Sequence, residues 1–411
     1  MSLNRRRFLT ASPAVAGIMG SLAAGKALTP AAVSAGSAAG NGLITSPPAL
    51  FGPRPDGVTV AWSVTGLCRG VVEYGESDDL GSVANSDPFG FTPNGEHVIR
   101  VRLEGLKPGT RYSYRVSTHG VDADLREREH QTGIRHFTTL SPDRQRTDFA
   151  VWNDTHDRGE TIRALHALTH EEAADFMVWN GDISNDVHRR EQIVPLYLAP
   201  AEGLDFSDDL PCCYTRGNHD VRGIRASMID HYVDTPTGRP YYSMRVGPLA
   251  AVMLDTGEDK ADDHPSFRGM ASFEALRREQ AGWLAEELRK PHMAGAPYWV
   301  VFCHIPLRGR DDNETYEAGR HGYDWVSVRS RVLWHDALAQ WGAQVVVSGH
   351  MHRFDYLEAD GDFPYAQLIG GGPQLERALL IRGDADAQRL RFRTINLDRE
   401  VVHEVEFPPL A

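Results

Sequence analysis

A chain of 411 residues is long enough for two domains, and its ordinary globular composition, 41% hydrophobic and 24% charged, excludes collagen, coiled coil and pervasive disorder. The formal charge of −13, with no basic stretch after residue 10, argues against a nucleic-acid-binding platform. An acidic protein that handles anions must concentrate positive charge locally, and bound divalent cations do this well.

In chain order, the first element is Asn4-Arg5-Arg6-Arg7-Phe8-Leu9-Thr10, followed by an apolar Ala/Gly-rich run from Ala11 to Gly25. That run is too short and too weakly hydrophobic for a stable membrane span. The segment resembles a twin-arginine export signal. The resemblance implies export of the folded precursor to the periplasm or the medium, with the export machinery as a partner. Residues 1–35 are assigned to this signal and 36–46 to a small-residue linker.

From Pro47 to Leu140 the pattern is all strand. Residues 58–63, 70–74, 97–102 and 112–116 alternate apolar and polar side chains, and the turn at Leu106-Lys107-Pro108-Gly109 separates two of these runs. Short strands at this spacing predict a small β-sandwich over 47–140. The rhythm changes after residue 146. Buried strands are predicted at 148–152, 175–179, 249–254, 298–303 and 344–347, and helices at 160–172, 273–290 and 326–341. Strand–helix alternation predicts helices packed on buried sheets over 147–411. Polar residues sit just beyond the strands, where ligands bind in open α/β sheets. The four cysteines, Cys68, Cys212, Cys213 and Cys303, are too few for a disulfide scaffold and read as buried free thiols.

Five polar clusters follow strand-like runs: Asp154-Thr155-His156, Gly181-Asp182, Gly217-Asn218-His219-Asp220, His304 and Gly349-His350-Met351-His352. Carboxylate and imidazole are ligand types that suit zinc, manganese and iron. One residue separates Asp154 from His156 and His350 from His352, so each pair is expected to point one way from an extended segment. Asp182 has two oxygens with which to bridge two cations, and Gly181 lets the backbone turn closely beside it. One such cluster is weak evidence. Five in this order, each at a strand end, point to a metal site.

The ordered set resembles the calcineurin-like metallophosphoesterase superfamily across roughly residues 147 to 395. The front sandwich resembles the fibronectin type III-like domain that precedes the catalytic domain in many purple acid phosphatases. Together these resemblances imply an α/β (α+β) sandwich of two mixed sheets flanked by helices, behind a small all-β sandwich. They imply two divalent or mixed-valence ions of manganese, zinc or iron. Asp154, His156, Asp182 and His352 would hold the first, and Asp182, Asn218, His304 and His350 the second. The implied reaction is hydrolysis of a small phosphate ester by water acidified between the ions. His219 would lie beside the phosphate, stabilising charge or protonating the leaving oxygen. Asp220 would either orient His219 or cap the following segment.

Two features separate this chain from the purple enzymes. His156 stands where they have Gly, and Asn185 stands where their iron-binding Tyr falls, while Gly217-Asn218-His219-Asp220 also resembles the cyclic-nucleotide phosphodiesterase branch. The expected activity is therefore phosphomonoesterase, with phosphodiesterase as the alternative and a non-catalytic extracellular binding protein as a remote third. Candidate substrate contacts are Arg308, Arg310 and His321, weighed against ordinary solvated loop residues. Tyr197, Tyr232 and Trp325 are weighed between pocket lining and packing.

Overall fold

The computed structural model describes residues 42–121, 124–267, 269–310 and 326–410. The signal segment, most of the linker, His321 and Trp325 lie outside the described residues.

The strands predicted after residue 146 form at Thr147–Trp152, Phe176–Asn180, Leu249–Leu254, Tyr298–Cys303 and Val345–Ser348. They are nearly continuous apolar runs because both faces of each are covered. Among the described residues, Thr147–Trp152, Phe176–Asn180 and Cys212–Thr215 lie side by side and parallel in a nine-stranded sheet. Leu249–Leu254, Tyr298–Cys303 and Val345–Ser348 run parallel in a second sheet of six strands.

Side chains alternate between the two faces of each strand, and this builds the layers. Phe149, Val151, Phe176, Val178 and Cys213 face the second sheet and meet Val300, Phe302, Val345 and Val347 there. Ala150, Trp152, Met177 and Trp179 face outward under Ile162, Leu165 and Leu168 of the helix Gly159–Thr169. The outer face of the second sheet, with Val252, Val301 and Val346, lies under Leu284, Trp334 and Leu338 of the helices Phe273–Glu287 and Val328–Trp341. The molecule is a mixed α/β sandwich behind an all-β front region, as the sequence led us to expect. All four cysteines are buried and free.

The front strands continue the main sheet. Ala49–Arg54 pairs in parallel with Cys212–Thr215 and antiparallel with Gly57–Ser63, which pairs with Val98–Leu103. Phe51 packs on Phe206 with ring centroids 6.1 Å apart. Arg102 binds both oxygens of Asp234 at 2.7 Å, and the Thr59 hydroxyl donates to the same carboxylate at 2.7 Å. A separate sheet completes the front region, with Trp62 buried among Val72, Tyr114, Val116 and Phe137.

The sequence pattern did not mark the antiparallel strands Leu379–Ala385, Leu390–Asn396 and Val401–Phe407 that extend the main sheet past Thr147–Trp152. Arg382, Gly383 and Asp384 break the apolar run in the first of them, yet all three are buried. Arg382 is satisfied by backbone carbonyls, including that of Glu172 at 3.0 Å. Gly383 lies opposite Phe149 in register, and a Cβ there would sit 2.1 Å from the Phe149 ring. That ring stacks on Phe176 at 5.4 Å and meets Phe302 and Phe392 edge-on, so it cannot yield. Gly383→Ala is therefore expected to destabilise the fold by about 1–3 kcal/mol through overpacking. Urea denaturation measures this, and an unchanged midpoint would show that the ring has room to move.

Candidate metal centre

The five polar clusters converge where parallel strands of both sheets end. Asp154, His156, Asp182 and His352 form one donor group, and Asp182, His304 and His350 form another. Within each group, one ligand atom from every residue lies within 4.8 Å of the others. Asp182 belongs to both. His156 Nε2 is 3.2 Å from Asp182 Oδ2 and 3.0 Å from His352 Nε2. His304 Nε2 is 3.1 Å from Asp182 Oδ2, and Asn218 Oδ1 is 2.9 Å from His350 Nδ1.

The backbone that delivers these groups is not extended, which corrects the expectation for the Asp-x-His and His-x-His pairs. Asp154, His156, Asp182, His350 and His352 all have positive φ, between 44° and 69°. Non-glycine residues seldom adopt this region, Asp and His more readily than most, and such conformations cluster where surrounding contacts hold a functional site. Gly349 permits one close approach, since a Cβ there would fall 2.3 Å from Asp154 Oδ2.

Neighbouring loops orient the donors. The His350 backbone N–H donates to Asp154 at 2.9 Å, and the His219 N–H donates to Asp182 Oδ1 at 2.8 Å. His304 donates Nδ1–H to the Asn180 carbonyl at 2.9 Å, so its Nε2 lone pair faces the centre. Asn185 Oδ1 accepts from His156 Nδ1 at 3.0 Å and does the same for that ring. Asn185 thus aims the His156 imidazole at the donor group.

Asp182 Oδ2 and His304 Nε2 are buried, close and not aligned to hydrogen-bond, so each lacks a hydrogen-bond partner. Burial pushes the Asp154 carboxyl up to about 7. Burial also opposes ionisation of Asp182, but His304 and His156 outweigh it and hold that carboxyl well below its usual range. His304 is raised to about 10: burial works against its charge, and Asp182 and then Asp154 more than compensate. Positive charge is thus favoured at the point where these donors meet. Buried carboxylates and imidazole nitrogens aimed at one another, with Asp182 Oδ2 and His304 Nε2 unbonded, fit divalent transition cations.

Asp220 does not orient His219. Its Oδ1 accepts from Tyr197 OH at 2.7 Å and from the backbone N–H groups of Ile183 and Ser184 at 3.0 Å, and its Oδ2 accepts from Gly217 N–H at 2.9 Å. It ties the Asp182 loop to the Asn218 loop, and Tyr197 is its buried partner rather than a pocket wall. Tyr232 also packs in the core. Among the proposed substrate contacts, Arg308 is buried against Asp360 and the Phe363 ring, and Arg310 is paired with Asp355, so both guanidinium groups are already committed.

His219 instead has Arg222 as its neighbour. Its Nδ1 lies 2.9 Å from the Asn185 carbonyl, which requires a proton there, and Arg222 Nη1 lies against the ring, 2.8 Å from Nε2 and 3.3 Å from Nδ1. Arg222 is gripped in turn by Glu258 and by Asp259 at 2.8 Å, and Asp259 lies 3.4 Å from Asn218 Nδ2. No motif marks Arg222, Glu258 or Asp259. Position marks the last two, since they lie just past the strand Leu249–Leu254, as each ligand cluster lies past its own strand.

Comparisons with known proteins agree with this geometry. The family model for calcineurin-like phosphoesterases matches residues 147–354, and that for the purple acid phosphatase N-terminal domain matches residues 48–139. The chain is 23% identical to purple acid phosphatase 21 of Arabidopsis thaliana over 335 residues, 79% of this chain and 68% of that protein. It is 28% identical to human serine/threonine-protein phosphatase CPPED1 over 147 residues, 35% of this chain and 42% of that one. The fold is shared with the yellow lupin purple acid phosphatase PPD1 (TM-score 0.63, 13% identity, 88% of this chain and 74% of that chain). It is shared also with PhoD (TM-score 0.59, 12% identity, 88% of each chain).

The shared position of Asp182 leads to an asymmetric expectation for metal content. In the full-length protein, Asp182→Asn should drop bound transition metal from about two ions per chain to nearly none, and His304→Ala to about one. Elemental analysis of the purified variants reads this. Equal depletion in both would mean that the two groups do not fill independently.

Proposed function

The chain belongs to the calcineurin-like phosphoesterase family and is a metal-dependent phosphoric ester hydrolase, and from that premise we propose that it is an exported phosphomonoesterase with a two-cation centre. The observation that carries the proposal is the pair of buried donor groups sharing Asp182, with Asp182 Oδ2 and His304 Nε2 both unbonded. In this reading Asp154, His156, Asp182 and His352 hold one cation, and Asp182, Asn218, His304 and His350 the other. Cations bound there supply charge neutralisation at the phosphoryl oxygens and acidify the attacking water.

The chain's own residues then position and stabilise. Asn185 and the Asn180 carbonyl keep His156 and His304 in the ligating tautomer. In this reading His219 acts as an electrostatic group rather than an acid. The Asn185 carbonyl holds its Nδ1–H, which leaves Nε2 to donate to a phosphoryl oxygen; burial lowers its pKa, so the bound anion is what holds the second proton. Arg222, fixed by Glu258 and Asp259, holds the His219 ring in place. The similarity to purple acid phosphatase 21 and the match to the purple acid phosphatase N-terminal domain support the phosphomonoesterase. The Gly217-Asn218-His219-Asp220 run, together with Asn185 in place of tyrosine, supports the second reading, a phosphodiesterase of the cyclic-nucleotide-phosphodiesterase-like branch.

Paired nitrophenyl mono- and diester substrates decide between these readings, and preferential turnover of the diester would reverse the order. His219→Ala is expected to lower kcat/KM by about 10²–10³-fold on nitrophenyl and alkyl monoesters alike, as loss of a stabilising donor does. A loss confined to the alkyl ester would assign His219 the leaving-group proton instead. For export, replacing Arg5 and Arg6 with Lys should leave the precursor inside the cell, read by fractionation. Normal export of that variant would remove the twin-arginine reading.

A further inference from the structure

Beside the catalytic loops lies a surface pocket of about 270 Å³ lined by His188, Arg189, Arg190, Glu191, Arg225 and Met228. Three arginines face one glutamate there, in a chain whose formal charge is −13. Elsewhere this protein pairs its cations closely: Arg222, Arg216, Arg115 and Arg102 each bind a carboxylate. In the pocket, Arg190 reaches Glu191 only at 3.8 Å. Among the described residues, Arg189 and Arg225 have no carboxylate within ion-pair distance, and the Arg225 guanidinium touches only the Met228 sulfur, at 3.9 Å. Cationic side chains gathered around a concave surface without counter-charges raise the local concentration of anions.

The pocket is built onto the catalytic loops. Val187 N–H donates to the Arg222 carbonyl at 2.9 Å, and Arg225 N–H donates to the Val187 carbonyl at 2.8 Å. These bonds lace the segment after Asp182 to the segment after His219. His188 is three residues beyond Asn185, whose carbonyl meets His219, and Arg225 is three residues beyond Arg222. Even a fully extended chain spans at most about 11 Å over three residues, so the backbone of His188 and of Arg225 lies within that reach of Asn185 and Arg222, the two residues against His219.

We propose that this pocket binds a phosphate-type oxyanion while the metal centre acts on the scissile phosphate, so that the preferred substrates are monoesters carrying a second phosphate-type group. The proposal rests on the phosphomonoesterase reading and names its substrate class. Guanidinium groups present paired N–H donors that match the oxygens of such a group, and Arg189 and Arg225 are the two free to do so. Glu191 opposes it. The same pocket chemistry serves a free inorganic oxyanion, and the test separates the two sources.

The metal-loaded full chain is assayed on butyl phosphate and on butane-1,4-diol bisphosphate, which share a leaving-group type and differ in the distal phosphate. Wild type is expected to favour the bisphosphate in kcat/KM. In R189A/R225A the ratio of the two kcat/KM values should fall about five- to tenfold, the scale of two exposed charge-assisted contacts. In Glu191→Gln it should rise. These residues lie on the surface, so folding is not at stake, and calorimetric titration with inorganic sulfate gives a readout independent of turnover. A sulfate site lost in R189A/R225A, without bisphosphate preference in wild type, would keep the pocket and assign it to a free anion. An unchanged ratio and unchanged sulfate binding in the double variant would overturn the pocket. Wild type that hydrolyses neither ester would sink the phosphomonoesterase reading instead, with sulfate binding still judging the pocket.

Discussion

Asp182 carries the heaviest constraint in the molecule. It is fully buried, belongs to both donor groups, and sits in a left-handed backbone conformation. A carboxylate removed from water costs several kcal/mol unless its oxygens are satisfied. One oxygen is satisfied by the His219 backbone N–H, and the other faces His156 and His304. Three loops must therefore arrive together, and much of the surrounding architecture does that work. Asp220 gathers the N–H groups of Gly217, Ile183 and Ser184 onto one carboxylate, which ties the Asp182 and His219 loops directly. Asn180 bridges Asn153, the Val347 carbonyl and His304, which links strands of both sheets.

The front region contributes to the same end. Its strands extend the catalytic sheet, and Arg100, Arg102 and Thr59 hold the segment from Asp230 to Asp234 by its carbonyls and by the Asp234 carboxylate. That segment follows directly from the loop carrying Asn218, His219 and Arg222. The all-β region is thus a brace for one side of the site. Side chains held from behind by packed strands keep their geometry better than side chains on free loops.

His156 and Asn185 set this centre apart from the purple acid phosphatases it is similar to. His156 is one of the gathered donors, and Asn185 holds that imidazole by its Nδ1–H. The two positions are coupled by one 3.0 Å hydrogen bond. A change at either therefore alters the orientation of a donor, whatever ion is held. Arg222 works in the same indirect way on the opposite side, fixing the His219 ring from its own anchor of two acidic side chains.

The sequence by itself determined the main strands and helices of the two-sheet core and the carboxylates and imidazoles that the fold gathers. Strands buried on both faces must be continuous apolar runs, and ligands at strand ends are short polar clusters, so both survive as local patterns in the chain. Leu249–Leu254 and Tyr298–Cys303 were legible to the residue for that reason. Only the tertiary structure decided the rest. The strand at Leu379–Ala385 was hidden because buried Arg382 finds carbonyl partners from a distant segment. The left-handed backbone at five donors depends on contacts that hold the strain. Arg308 and Arg310 were open between substrate contacts and solvated loop residues, and Asp360 and Asp355, some 45 to 52 residues away in the chain, claim them. Asp220 and Arg222 took roles that spacing does not encode. A side chain's partner is set by which loops the fold brings within about 3 Å, and hydrogen bonds at that range leave no periodic trace in the sequence.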